Sequence, residues 1–499
     1  MKHTTAASLL ALASFQLAQA SPFHPSSLST ATTIPVVRRR ASTRALTPDQ
    51  IGAAGDRLRA KYGRPTVVSK RKRAGQTVGV SITNEGHDAS YVAQVSVGTP
   101  AKDFLVVLDT GSSDFWLAST GCQACVSTAA QYDSSQSSSF KASSGFNSQV
   151  QIPYGSGAVQ GDLGSENVNL GGFSVAGQTF LVVDQITNNF FSGETDVSGI
   201  MGLAFQSIAA TKATPFWQTL VSNNQLDQPM MSFWLQRASG SSSNDQPGGV
   251  LTFGGVNTTL FSGDIEYNNQ PSDETASFWL LDLQKVTVTG KEVQLSGGNN
   301  ALSAIDTGTT LIGGPSTDVA NFWATVPGSE ALTGSNQGFW SYPCSMQLNA
   351  TLNFGGRDWP ISDEDMQFQQ LDRQGTLCAG AIFDLDANTD IPVGSGTPAW
   401  IVGDTFLKNV YTVFRASNPP AVGFAELSTA AGGTGTSPGT QPPSVSASVP
   451  AATASSATSS TPSSGSSGST TSGATTTRAS TGLMASALLV LASCMFVMS

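Results

Sequence analysis

The chain has 499 residues with 24 Lys and Arg against 34 Asp and Glu, a formal net charge of −10, and only three histidines. The acidic balance argues against nucleic acid as a partner, because phosphates would be repelled. Three histidines exclude a zinc site with several imidazole ligands and leave almost nothing for Ser-His-Asp or Cys-His chemistry, since His3 and His24 lie in segments expected to be removed and His87 stands alone.

Residues 1–20 read as a secretory signal peptide: a basic start, an apolar centre from Ala6, and Ala-Gln-Ala ending at Ala20. Residues 21–73 carry 12 Lys and Arg against Asp49 and Asp56 alone, a net charge of +10, and end on a dibasic Lys72-Arg73. From Ala74 onward there are 11 basic and 32 acidic residues, a net of −21. A basic segment ahead of an acidic body reads as a propeptide held partly by opposite charge.

The body, residues 74–427, has short apolar runs broken by Gly, Asn, Asp and Ser, which indicates a mainly β fold. "TPFWQTLVSNN" near Phe216 and "STDVANFWATV" near Phe322 are its best helical segments, each with a Thr or Ser in position to cap it. Two sequons, at Asn257 and Asn349, are candidate N-glycosylation sites. Four of the five cysteines lie in the body, and Cys122–Cys125 with Cys344–Cys378 is the natural pairing among three possible. The lone C-x-x-C at Cys122 has no second copy that would make a zinc or redox motif, so no metal and no cofactor are expected.

Internal repetition carries the most information. Asp109-Thr110-Gly111 recurs as Asp306-Thr307-Gly308, 197 residues later. Ile200-Met201-Gly202 recurs as Ile401-Val402-Gly403, 201 residues later. Two patterns in the same order at nearly the same spacing indicate two similar β lobes, about 74–260 and 261–427, each offering one Asp-Thr-Gly turn to a cleft between them. Each aspartate follows an apolar strand and precedes a hydroxyl residue, Ser112 or Thr309, that can hydrogen-bond a carboxylate without adding charge. Two carboxylates brought together share one proton, and such a pair can activate a water while polarising a carbonyl. A glycosidase also uses two carboxylates, but it needs them in unlike environments, and these two settings match.

Beyond the body, residues 428–472 are rich in Ser, Thr, Gly, Pro and Ala, a composition suited to an extended stalk. Residues 473–499 read as a removable GPI-attachment signal: Ser472 with small neighbours as the attachment point, a polar spacer, then 17 uncharged residues from Leu483. The protein is then expected at the cell surface, tied to the membrane through a lipid.

"LDTGSSDFW", "IDTGTTLI", "YGSG" at Tyr154 and the closing "WIVGDTFLKNVYTVFRASNPPAVGFAEL" resemble the motifs of the pepsin-like aspartic endopeptidases. The resemblance covers nearly all of residues 74–427. It implies a bilobal fold, a catalytic pair Asp109 and Asp306, and hydroxyls of Thr110 and Thr307 that lock the two loops together. It further implies a flap built on Tyr154, Gly155 and Ser156, with Tyr154 hydrogen-bonded to Trp116. The two cysteine pairs occupy places where family members carry disulfides, and the layout looks like the fungal cell-surface members. Ser156 stands where some fungal relatives have an aspartate that accepts lysine, so large apolar residues flanking the cut are expected. The implied partners are protein or peptide substrates and the chain's own propeptide, with Lys61 of "LRAKYG" set against the aspartates, in a monomer. The competing expectation is a non-catalytic wall or inhibitor-binding protein that keeps the fold.

Overall fold

The computed structural model describes residues 75–433, apart from 87, 144–147, 156, 188–189, 192–195, 240–244, 272–275, 298–300 and 388–397. The signal peptide, the basic segment with Lys61, His87, the flap Ser156, nearly all of the stalk, and Ser472 with the tail lie outside the described residues. Among the described residues no helix is long and apolar enough to cross a membrane.

The strand Lys102–Asp109 shows why the chain folds as it does. From Phe104 onward it is a run of apolar residues rather than an alternation, as a strand covered on both faces requires, and Val106 and Leu108 are fully buried. It pairs in parallel with Gly199–Gly202, in a register that sets Asp109 opposite Gly202. Gly199–Gly202 pairs antiparallel with Phe115–Gln123, which runs parallel to Phe173–Ile186. The second half repeats this crossing: Ala301–Ile305 lies parallel to Trp400–Val402, which is antiparallel to Ile312–Gly314, itself parallel to Ile382–Asp384. The repeated apolar-apolar-glycine segments are therefore the strands that pair with the two aspartate strands. Their glycines are steric requirements, since a Cβ on Gly202 would strike the backbone of Ser113 and Asp114, and one on Gly403 the carbonyl oxygens of Thr309 and Leu311.

The halves share one sheet. Its base runs in the order Phe261–Asn269, Ala421–Leu427, Val410–Arg415, Met230–Leu235, Gln246–Phe253, Val78–Glu85, and it continues into the first aspartate strand. An aromatic cluster joins the halves above it. Trp279 lies 4.5 Å from Phe205 and 5.2 Å from Phe414, and its Nε1–H donates to the Leu203 carbonyl at 3.0 Å.

Both expected helices form, Phe216–Ser222 and Ser316–Ala324, but neither is capped by a hydroxyl. Pro215 and Pro315 occupy the N-cap positions, and the hydroxyl of Ser316 turns away to the carboxylate of Asp384. Proline fixes the entry backbone, so the cap is conformational rather than a side-chain hydrogen bond. Both bridges, Cys122–Cys125 and Cys344–Cys378, are closed, with Cα separations of 5.6 and 5.1 Å. The packed body also runs past residue 427. Ala431 is buried and accepts a hydrogen bond from Trp234 Nε1, so Ser428–Gly433 belong to the body although their composition reads as stalk.

Candidate active site

The two Asp-Thr-Gly turns meet at the centre of the molecule and are tied to each other by their threonines. Thr110 Oγ1 donates to the Ile305 carbonyl at 2.9 Å, and Thr307 Oγ1 donates to the Leu108 carbonyl at 2.6 Å. In return Thr307 N–H donates to Thr110 Oγ1 at 2.9 Å and Thr110 N–H to Thr307 Oγ1 at 3.2 Å. Both threonines are buried, so each hydroxyl replaces water for two backbone groups that would otherwise be unpaired.

Each carboxylate is then held by its own turn. Gly111 N–H donates to Asp109 Oδ1 and Gly308 N–H to Asp306 Oδ1, both at 2.8 Å. The outer oxygens accept from hydroxyls, Ser112 Oγ for Asp109 and Thr309 Oγ1, at 2.6 Å, for Asp306. The glycines also set the approach of the two halves. A Cβ on Gly111 would overlap the Asp306 carboxyl, and one on Gly308 the Asp109 carboxyl. Only glycine lets each turn lie against the opposite aspartate.

The electrostatics follow from this closeness. Asp109 is 6% exposed and Asp306 8%. Burial, then the neighbouring charge of Asp306, hold the Asp109 carboxyl well above the usual carboxylate range, against the opposing hydrogen bonds from Ser112 and Gly111. The pair therefore retains a proton where isolated aspartates would lose it, and that proton belongs to the pair rather than to either residue.

The hairpin of Gln149–Tyr154 and Gly157–Leu170 brings Tyr154 close enough to Asp109 for that charge to act on its phenol. Tyr154, at its tip, accepts a hydrogen bond from Trp116 Nε1 at 3.0 Å. Its ring meets Phe190 edge-on at 5.4 Å, and Phe191 stacks on Trp116 at 5.7 Å. Burial, followed by the charges of Asp109 and Asp114, pushes the Tyr154 phenol up, so it stays a neutral donor. The packing around Trp116 and Tyr154 is apolar, with Val107, Ile200, Val197 and Phe190 all buried in one cluster.

Sequence reasoning passed over a third carboxyl and a buried cation. Asp404, directly after Gly403, is 1% exposed, and its Oδ1 has no hydrogen-bond partner among the described residues. Burial holds it well above the usual range, Lys408 opposes this, and the charges of Asp306, Asp88 and Asp109 reinforce it. Lys408 lies between Asp88 at 2.8 Å and Asp365 at 2.9 Å, and Arg237 closes on the far side of Asp365. Asp88 adjoins Ala89, whose carbonyl accepts from Thr310 Oγ1 at 2.7 Å, so this network braces the loop that carries Asp306. Asp88 and Lys408 are 320 residues apart, and no local pattern in the sequence signals that they pair.

Of the two sequons, Asn257 is partly exposed, and its Oδ1 accepts from both the backbone and the hydroxyl of Thr259, at 3.1 and 2.7 Å. Asn349 is exposed with its backbone in the left-handed region, and the hydroxyl of its Thr351 is hydrogen-bonded to Thr287 instead.

Comparison with known proteins gives a consistent picture. The family described as "Eukaryotic aspartyl protease" matches residues 90–427. The chain is 43% identical over 390 residues to major aspartyl peptidase 1 of Cryptococcus neoformans var. grubii, covering 76% of this chain and 77% of that one. It is 32% identical to pepsin A of Sus scrofa over 338 residues, covering 66% and 80%. It is likewise 32% identical to rhizopuspepsin of Rhizopus chinensis over 345 residues, covering 68% and 79%.

Proposed function

The chain belongs to the eukaryotic aspartyl protease family as a pepsin-like aspartic peptidase, and from that premise we propose that Asp109 and Asp306 are its catalytic pair. The observation that carries this reading is the reciprocal threonine lock, which sets two buried carboxyls face to face with matching donors. A water held between them gives its proton to the ionised carboxylate as its oxygen attacks the scissile carbonyl carbon. The protonated carboxyl donates to the carbonyl oxygen, giving a neutral tetrahedral diol. The carboxyl that took the water's proton gives it to the amide nitrogen while the other carboxylate takes a proton back from a diol hydroxyl. The C–N bond then breaks to leave an acid and an amine, and the pair regains its one proton in the starting arrangement. No covalent enzyme intermediate is needed, and one carboxyl must be protonated while the other is ionised, which sets an acidic working range.

Tyr154, Gly155 and Ser156 form the flap that closes over substrate, with Trp116 supporting it. The apolar wall of Val107, Ile200 and Phe190 supports a preference for large apolar residues beside the cut. The protein is made as a zymogen: residues 1–20 direct secretion, and the basic residues 21–73 cover the acidic cleft, Lys61 facing the two aspartates, until acid weakens the attraction. Residues beyond the body act as a stalk ending in a GPI signal, with attachment at Ser472, which places a monomeric enzyme at the cell surface as in fungal GPI-anchored types. Asn257 and Asn349 carry glycans; the ordered Asn257–Thr259 turn favours the first.

The test is cleavage of denatured globin by the processed protein at about pH 4, with and without pepstatin. Cleavage that pepstatin blocks, and that Asp306→Asn lowers by about a thousandfold or more without unfolding the protein, is expected. An inactive wild type, or an active Asp306→Asn, would mean a non-catalytic protein that keeps the fold, or a different site.

A further inference from the structure

The two halves differ on the sheet faces that flank the catalytic pair. In the first half that face carries Val107, Trp116, Leu181 and Ile200, and the flap residues Ile152 and Val159 cover it. The second half places Gly313 where the first has Trp116: each lies seven residues after its aspartate, and each pairs in parallel with the fourth strand of its crossing. Gly313 is in register with Phe383, as Trp116 is with Leu181, and a Cβ on Gly313 would stand 3.2 Å from both Phe383 and Leu385. The repeat thus puts Phe383 on the second half's counterpart of the flap-covered wall. There Phe383, Leu385 and Ile401 remain partly exposed.

Phe383 does not stand alone. Its ring stacks on Phe339 at 5.3 Å and 14°, and Phe339 stacks on Phe368 at 5.9 Å and 18°. The hydrogen bond from Asp384 N–H to the Gly338 carbonyl, 2.8 Å, fixes Phe339 beside Phe383. Phe368 lies on the edge strand Gln367–Gln370 and is 45% exposed, the most exposed large apolar side chain among the described residues. Three nearly parallel rings therefore lead from the cleft wall to open surface. A row serving only the core would not end on so exposed a ring.

We propose that Phe383, Phe339 and Phe368 form an aromatic track that binds apolar residues of an extended polypeptide substrate, remote from the bond being cut. The proposal rests on the reading of Asp109 and Asp306 as the catalytic pair. Continuity of the track with the cleft selects the occupant: a chain already held across the carboxyls can reach the rings without a second encounter. Each ring offers a flat apolar face and no charge, so the track favours aromatic or aliphatic side chains and gains nothing from lysine or glutamate.

The experiment compares a core peptide that spans only the catalytic pair with versions lengthened at either end by apolar or by polar residues. Wild-type kcat/KM should rise about tenfold on apolar lengthening at one end and little on polar lengthening, the scale of burying one apolar side chain. Phe368→Ser, and the gentler Phe368→Gln, should remove most of that gain while leaving kcat/KM on the core peptide unchanged. A gain that persists in both variants overturns the track, as does an equal loss on the core peptide. Conversion of a dimer to a monomer by Phe368→Ser would also overturn it, because the rings would then be a contact between copies. Failure of the wild type to cleave the core peptide instead removes the catalytic reading, and the track with it.

Discussion

Thr307 Oγ1 donates to the Leu108 carbonyl at 2.6 Å and accepts the Thr110 N–H at 3.2 Å, so one hydroxyl closes two backbone groups of the opposite half. Thr307→Val keeps the shape and deletes both bonds. Two buried backbone groups are left unpaired, at about 1–3 kcal/mol each. The expected result is a loss of about 2–4 kcal/mol in urea unfolding together with a kcat reduced by about a hundredfold, as the carboxyls lose their mutual placement. Thr307→Ser should restore most of both. A Val variant with wild-type kcat would show that the lock does not position the pair.

Asp109 and Asp404 both hold their protons more tightly in the folded protein than in the unfolded chain, chiefly through burial. Raised carboxyls contribute stability that is complete below the ordinary carboxylate range and is lost as pH rises through their folded values. Asp88 and Asp365 are shifted the other way. Burial works to raise them, but Lys408 for Asp88, and Arg237 with Lys408 for Asp365, outweigh it. Their contribution is lost only in stronger acid, as pH falls through their lowered values. The melting temperature should therefore fall from about pH 5 toward pH 8. Asp404→Asn, neutral at every pH, should flatten that fall. A melting temperature that rises over the same interval would contradict the assignment.

The repeat made much of this site readable. Because each crossing needs an aspartate strand and a glycine-ended partner, the spacings 109 to 306 and 200 to 401 report the duplicated topology directly. Ser112 and Thr309 were likewise legible, since a hydroxyl three residues after a carboxylate in a tight turn has little else to bond. What the chain conceals is long-range pairing without periodicity. Nothing local in "NEGHDAS" announces that Asp88 meets Lys408, and the shared base sheet joins strands from both ends of the body. The helix caps misled for a related reason: Thr214 and Ser316 have capping chemistry, but an adjacent proline already fixes the backbone, and the Ser316 hydroxyl bonds to Asp384 instead.

Lys408 is the cation of the brace. Its side chain is 9% exposed, and burial, which would lower its pKa, is outweighed by Asp365 and Asp88. Lys408→Met keeps the packing stem but leaves the buried Asp365 to Arg237, Ser362 and Asn409, and the partly exposed Asp88 to the Asn84 amide and the Ala238 N–H without a cation beside it. Breaking a buried pair in this way costs about 3–5 kcal/mol. Chemical unfolding should show a loss of that order, and kcat should fall as the Asp88–Ala89 segment releases Thr310. A loss no larger than about 1 kcal/mol would mean that water reaches the site and screens it.

Trp116 Nε1 donates to the Tyr154 hydroxyl at 3.0 Å, a polar tie between the tip of the hairpin and the strand Phe115–Gln123. Tyr154→Phe leaves the indole N–H without its acceptor, and Trp116→Phe leaves the hydroxyl without its donor. Each variant should raise KM and lower kcat/KM by about fivefold to thirtyfold, the scale of one such bond. Trp116→Phe should also cost stability, because Trp116 is fully buried and the smaller ring leaves a void. That cost does not bear on the flap, so the decisive measurement is the double variant. If the bond is what matters, kcat/KM of the pair together should be no lower than that of the worse single variant, a coupling of about 1 kcal/mol. Losses that simply add would mean that the two rings act on substrate separately and that the hydrogen bond between them does not hold the flap.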